Sequence, residues 1–228
     1  MSDAESLAER EPAPMADLFA TAVHRFGSAW ADLVIATGAA LGVATVPVLV
    51  VGSAASNRAT YATALLCYGV AYFALLGFVV LRGLPGAAPP RRVAATYAAA
   101  VVVGPVAALA VLSLWFYSLV VLPVLLLIVP VVAAGDGRLP GALLSGVRFA
   151  LANYRRVWTM WMVTVLFCAP VGISMFLMVQ SLTGAVTGTL LAFGLTAPIA
   201  WPFSALFIRA LYGDLTGRLV VAPQDRTR

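Results

Sequence analysis

Lysine is missing from this chain of 228 residues, histidine occurs once and cysteine twice, and charged residues of both signs together make up only 10%. Each scarcity excludes a class of chemistry. A zinc site needs several nitrogen, sulfur or carboxylate ligands converging on one point, so the single His24 is expected to be solvated rather than metal-bound. Cys67 and Cys168 both fall inside apolar runs, where free cysteine behaves as a small buried hydrophobe, and no disulfide is expected. Walker loops, HExxH and GxSxG are all lacking, which removes the motif-borne routes to phosphate binding, metallohydrolysis and serine hydrolysis. General acid–base work or proton coupling at membrane depth needs titratable groups there, and the apolar runs hold almost none. These absences point to a non-enzymatic protein without a cofactor or metal.

What is present is overwhelmingly apolar. Hydrophobic residues make up 62% and the mean hydropathy is +1.00, against about 45–50% apolar in soluble domains. Such a composition belongs in a bilayer. In a soluble protein a net charge of +5 would suggest nucleic acid, but here the arginines flank apolar runs, where anionic headgroups attract them. The expected partners are membrane lipids, with no nucleic acid. Arginine without lysine, beside abundant alanine, is the usage expected of a GC-rich bacterial genome.

The arginines are distributed unevenly. Arg10 and Arg25 precede the first apolar run; Arg82, Arg91 and Arg92 follow the second; Arg138, Arg148, Arg155 and Arg156 follow the fourth; Arg209, Arg218, Arg226 and Arg228 close the chain. Only Arg58, between the first and second runs, falls on the other side. Positively charged loops are retained on the cytoplasmic face. Six spans with both termini in the cytoplasm account for the whole pattern, and the expected location is the bacterial cytoplasmic membrane.

Crossing about 30 Å of hydrocarbon takes roughly 20 helical residues. Five spans are placed at residues 32–52, 59–81, 93–113, 157–179 and 185–208. Between Val93 and Ala134 no charged residue occurs, a stretch that would run about 63 Å as one helix, so two helices must share it. The turn is expected at Ser113 to Ser118, where Trp115, Phe116 and Tyr117 form an interfacial aromatic cluster. A fourth span then covers residues 119–134, short and carrying Pro123 and Pro130. Residues 1–14, rich in charge, Pro and Ala, read as a mobile cytoplasmic tail. They carry Asp3, Glu5, Glu9 and Glu11 in place of the basic start of a signal peptide, so the first span should remain uncleaved. Residues 15–218 form the membrane domain and 219–228 a second tail.

Two further segments are amphipathic. Met15, Leu18, Phe19, Ala22, Val23, Phe26 and Trp30 recur at helical spacing opposite Asp17, His24, Arg25 and Ser28. Leu143, Val147, Ala150, Leu151, Tyr154 and Trp158 do the same opposite Ser145, Arg148, Asn153 and Arg156, with Phe149 interrupting the stripe. Each is expected to lie in the cytoplasmic interface, apolar side chains dipped into the acyl boundary and arginines near phosphates. A shift of 128 residues superposes Trp30 on Trp158, Phe26 on Tyr154, Val23 on Leu151 and Ala22 on Ala150, which suits either a duplication or shared amphipathicity. The expected headgroup contacts are Arg25, Arg148, Arg155, Arg156 and Arg209. Asp32 and Arg209, at span ends, can reach the interface without crossing hydrocarbon.

Gly38 and Gly42 form a GxxxG on the first span, and Gly184 and Gly188 repeat it at the start of the sixth. Such pairs let backbones approach closely, and packing within one bundle is favoured over dimerisation. Pro47, Pro105, Pro123, Pro130, Pro170, Pro198 and Pro202 place proline in five of the six spans. Helix bending is the simpler account of them, and lining of a transport site the other.

Two stretches carry a resemblance. Pro130 to Trp158, PVVAAGDGRLPGALLSGVRFALANYRRVW, is similar to the loop of the six-helix membrane domain found on some glycerophosphoryl diester phosphodiesterases and related bacterial proteins. It has the proline-ending span, the acidic-glycine turn and the amphipathic helix. The closing ALYGDLTGR resembles that group's finish through Tyr212, Asp214, Leu215 and Arg218, with Thr216 where arginine is expected. Catalysis in those enzymes belongs to a separate TIM barrel of about 250 residues, so the resemblance implies a membrane module and not a phosphodiesterase. VPVLVVGSAAS, after the first span, also looks like the YesL-like group of small six-span bacterial proteins.

The expectation is an all-α, polytopic bundle of six transmembrane helices and two cytoplasmic interfacial helices, acting as a lipid-interacting or scaffolding module. The alternative is a permease subunit, for example of a type-2 ABC exporter, against which the short GLPGAAPPRR loop makes a poor ATPase-coupling helix. A protein partner or oligomer stays open.

Overall fold

The structure is a computed structural model that describes residues 12–52, 57–84, 86–113, 115–135, 139–167 and 185–217. Among the described residues every element is a helix: α1 (Met15–Gly52), α2 (Asn57–Leu81), α3 (Pro90–Ser113), α4 (Trp115–Ala134), α5 (Leu139–Ala152), α6 (described over residues 154–167) and α7 (Ala185–Leu215). Four stretches are long and apolar enough to cross a membrane, Met15–Val51, Ala59–Leu81, Pro90–Leu112 and Leu195–Leu215, as in a multi-pass membrane protein. Leu119–Ala134 is a shorter apolar stretch. Arg10, Arg138, Cys168, Pro170, Gly184, Arg218, Arg226, Arg228 and the second half of the expected fifth span lie outside the described residues.

The tight return between the third and fourth helices falls where the uncharged run requires it. α3 ends at Ser113 and α4 begins at Trp115, four residues ahead of the expected 119, because helix propagates into the aromatic cluster. With 20 residues α4 reaches about 30 Å. It is apolar all round, and such a helix belongs in the interior. Leu126, Leu127, Ile128, Val129, Val132 and Ala133 are all buried, and α2, α3, α5 and α7 pack around it.

Between membrane helices there is little hydrophobic drive, so close van der Waals approach decides packing. The glycines that permit it are not the ones in GxxxG spacing. An ideal Cβ on Gly104 of α3 would sit 2.6 Å from the Val70 backbone nitrogen, and one on Gly69 of α2 would sit 2.9 Å from the Gly104 carbonyl oxygen. Gly146 of α5 meets Ile128 of α4 in the same way, 2.9 Å from its Cα. Gly38 and Gly42 have nothing within 4 Å of such a Cβ and are exposed. This corrects the expectation that the first GxxxG packs inside the bundle: its face is turned outward.

α1 is 38 residues long, and Ala29 (φ −127°, ψ 17°) breaks it into an arm and a span. The arm is the first expected interfacial helix, but its apolar face meets protein. Leu18 and Ala22 are fully buried, and the Phe19 ring stands edge-on to Phe203 at 5.1 Å and to Phe207 at 5.9 Å. Only Val23 and Trp30 of the stripe are strongly exposed. The correction has a simple cause: α7 carries phenylalanines at the same level, and ring-to-ring contact adds about 0.5–1.5 kcal/mol per pair. α5 behaves likewise, with Gly146 and Ala150 buried.

Buried hydroxyls are satisfied locally. Thr37, Thr96 and Thr164 each donate to the carbonyl four residues earlier, at 2.7, 2.7 and 2.9 Å, as membrane helices require of polar groups. Two pairs cross between helices, Thr45 Oγ1 with Tyr68 Oη at 3.1 Å and Tyr72 Oη with Ser204 Oγ at 2.7 Å.

Candidate functional site

Among the described residues the side-chain contacts of the arginines gather at one end of the bundle. Arg92 Nε donates to the Gly135 carbonyl at 3.1 Å, tying the start of α3 to the close of α4. Arg82 Nη2 donates to Asp32 Oδ2 at 2.6 Å, joining the end of α2 to the span of α1. Arg209 Nη2 of α7 donates to the Gly83 carbonyl at 3.3 Å, and Arg156 Nη1 at the start of α6 donates to Asp214 Oδ2 at 2.7 Å. Arg58 sits in the first turn of α2, roughly 37 Å along that helix from its arginine-bearing end.

At the arginine-rich end, α1, α2 and α7 enclose a cavity of about 240 Å³ lined by Arg25, Ser28, Leu33, Phe78, Arg82 and Arg209 among others. The break at Ala29 turns the arm aside and opens this space, and the Ser28 hydroxyl caps the break by donating to the Arg25 carbonyl at 3.0 Å. Arg82 follows the last turn of α2, where the helix dipole favours a cation. Its guanidinium lies 5.9 Å over the Phe78 ring, within cation–π range. Arg209 comes in from α7 against Gly83, and a Cβ at residue 83 would overlap its guanidinium. Glycine there is what admits the side chain.

Charge in the cavity is not balanced. Among the described residues three arginines line the cavity and no carboxylate does; Asp32, outside the lining, bonds Arg82 with both side chains more than half exposed, 57% and 53%. Among the described residues Arg25 and Arg209 have no carboxylate partner. Guanidinium presents several N–H donors in a planar fork that matches phosphate and carboxylate oxygens. An anion is therefore the complementary ligand.

A second polar group is structural. Asp214, near the end of α7, is 3% exposed; its Oδ2 accepts from Arg156, and its Oδ1 accepts from the Ala13 backbone N–H at 3.2 Å. Arg156 Nη2 donates in turn to the Ala13 carbonyl at 2.6 Å. Ala13, expected in a mobile tail, is instead clasped by both charges. Residues 1–11 lie outside the described residues.

The structure thus divides the five expected headgroup arginines. Arg25 and Arg209 meet in the cavity. Arg148 and Arg155 are exposed on an outward face with Leu144, Leu151 and Trp158, which are 54%, 57% and 42% exposed. Arg156 turns inward to Asp214. Arg82 and Asp32 were not among the expected site residues; Arg82's place at a helix end signalled orientation but gave no hint that it shares a cavity with Arg25. Positions related by the 128-residue shift share their burial: Ala22 and Ala150 are buried, whereas Val23 and Leu151, and Trp30 and Trp158, are exposed.

A second, open pocket of about 180 Å³ is bordered by Tyr68, Tyr72, Ala107, Leu126, Trp161 and Trp201 among others. It is almost wholly apolar. Trp161 Nε1 is buried without a hydrogen-bond partner among the described residues. Compared with known protein families, curated proteins and solved structures, the chain matches none.

Proposed function

We propose that this protein is a non-enzymatic, six-span protein of the bacterial cytoplasmic membrane whose arginine-rich end faces the cytoplasm and binds anionic lipid headgroups. It acts as a lipid-interacting or scaffolding module, in line with the resemblance to the membrane domain of glycerophosphoryl diester phosphodiesterases. One observation carries the reading: Arg25, Arg82 and Arg209, brought together by α1, the end of α2 and α7, line a single cavity, and among the described residues only Arg82 has a carboxylate partner, Asp32. The outward face of α5 and α6 supports it, since exposed leucine and tryptophan alternating with Arg148 and Arg155 suit an interface of acyl chains and phosphates.

Lipid retained by purified protein in mild detergent tests this. In native mass spectrometry the unmodified chain should keep anionic phospholipid, and the double variant Arg25→Gln, Arg209→Gln should lose about tenfold or more of it, the effect of removing charge-assisted hydrogen bonds. Arg58→Gln, at the opposite end, should change nothing. An unaltered lipid profile in the double variant would end the reading.

A further inference from the structure

We propose that the cavity at the α1 break is a binding site for a phosphate monoester carrying two negative charges, presented either by a lipid headgroup or by a soluble phosphate ester. The inference rests on the lipid-binding role proposed above, and the test below separates the two.

Charge points to the monoester. Among the described residues Asp32 pairs with Arg82 from outside the lining and no carboxylate pairs with Arg25 or Arg209, so two positive charges are left over. A phosphate monoester carries about −1.5 to −2 near neutral pH, because its second pKa lies near 6, whereas a phosphodiester carries one charge. A monoanion would leave one guanidinium uncompensated against the apolar walls of Leu33, Phe78, Val79 and Leu206. Desolvation by such walls makes an unmatched charge costly and a matched one strong.

Geometry agrees. A monoester offers three unsubstituted oxygens, a diester two, and Arg25 of α1, Arg82 just past α2 and Arg209 of α7 approach from three separate segments. Each guanidinium has five N–H donors. Arg82 uses Nη2 on Asp32 and Arg209 uses Nη2 on Gly83, so donors remain on both. At about 240 Å³ the space exceeds the roughly 150 Å³ that holds benzene in an engineered protein cavity, enough for the phosphate and its first substituent atoms. Arg82, more than half exposed, marks the mouth through which the ligand enters.

The experiment uses the full chain in nanodiscs of phosphatidylcholine doped with either phosphatidic acid, a monoester, or phosphatidylglycerol, a diester, and measures binding with glycerol 3-phosphate as a soluble competitor. Phosphatidic acid should bind about tenfold or more tightly than phosphatidylglycerol, the effect of one further charge-assisted contact. Arg209→Gln should abolish that preference. Gly83→Ala alters no charge but displaces the Arg209 guanidinium, so it should also remove most of the preference while the protein elutes and melts as the unmodified chain does. Equal binding of both lipids, lost together in Arg209→Gln, would overturn the monoester inference and leave the anionic-lipid reading standing. Indifference to every anionic lipid, with glycerol 3-phosphate bound at the arginines, would overturn the lipid reading and keep the monoester site. Binding of neither class overturns both.

Discussion

Alanine at Gly104 is expected to lower the melting temperature of the purified protein by roughly 5–10 °C, corresponding to about 2–3 kcal/mol in a chain of this size. The added Cβ would stand 2.6 Å from the Val70 nitrogen and 2.7 Å from its Cα. Both obstacles are backbone, so no side chain can swing aside, and α2 and α3 must separate along their shared seam. Gly38→Ala and Gly42→Ala should behave oppositely. Nothing lies within 4 Å of either new Cβ, and alanine is favoured over glycine inside a helix by up to about 1 kcal/mol. Apparent melting temperatures in mild detergent at one scan rate make the comparison. Should Gly42→Ala destabilise the protein more than Gly104→Ala, the packing described for these helices is incorrect.

That contrast shows what sequence spacing conveys here. GxxxG identifies small residues on one face of a helix but does not say whether the face turns inward, and the glycines that meet, Gly69 and Gly104, stand one on each of two helices with no GxxxG in either. The helices themselves were legible: the uncharged run from Val93 to Ala134 had to fold back, and it does so between Ser113 and Trp115. The gathering of Arg82, Arg92, Arg156 and Arg209 at one end was legible too, because the requirement for charge at a water boundary acts on each loop separately. Partner choice was not. Arg82 finds Asp32 fifty residues away, and Arg156 finds Asp214 fifty-eight away; periodicity is local and carries no record of such pairs. The amphipathic stripe of the α1 arm was read correctly as apolar, yet its neighbour is a set of α7 phenylalanines where lipid was expected. An apolar face says only that water is excluded, and both protein and acyl chain do that.

The second large effect is expected at Asp214. Replacing it with alanine should lower stability by about 3–5 kcal/mol, the typical loss when one partner of a buried ion pair is removed and the other is left uncompensated. Asp214 is 3% exposed and Arg156 23%, so water replaces the carboxylate only in part, and the Ala13 N–H loses its acceptor as well. Arg82→Gln is the matched control. Its pair with Asp32 has a similar length, 2.6 Å against 2.7 Å, but both side chains are more than half exposed, and such pairs contribute about 0–1 kcal/mol. A double variant, Arg156→Met with Asp214→Leu, separates the two functions of the inner pair. Apolar replacements of similar volume should restore much of the melting temperature, while the backbone bonds to Ala13 stay broken. Limited proteolysis near Ala13 should then proceed faster than in the unmodified chain even though the bundle is stable again. If the double variant melts as low as Asp214→Ala, the loss comes from packing around α7 and not from an unpaired charge; if cleavage near Ala13 is unchanged, the clasp does not hold the segment that leads into the arm.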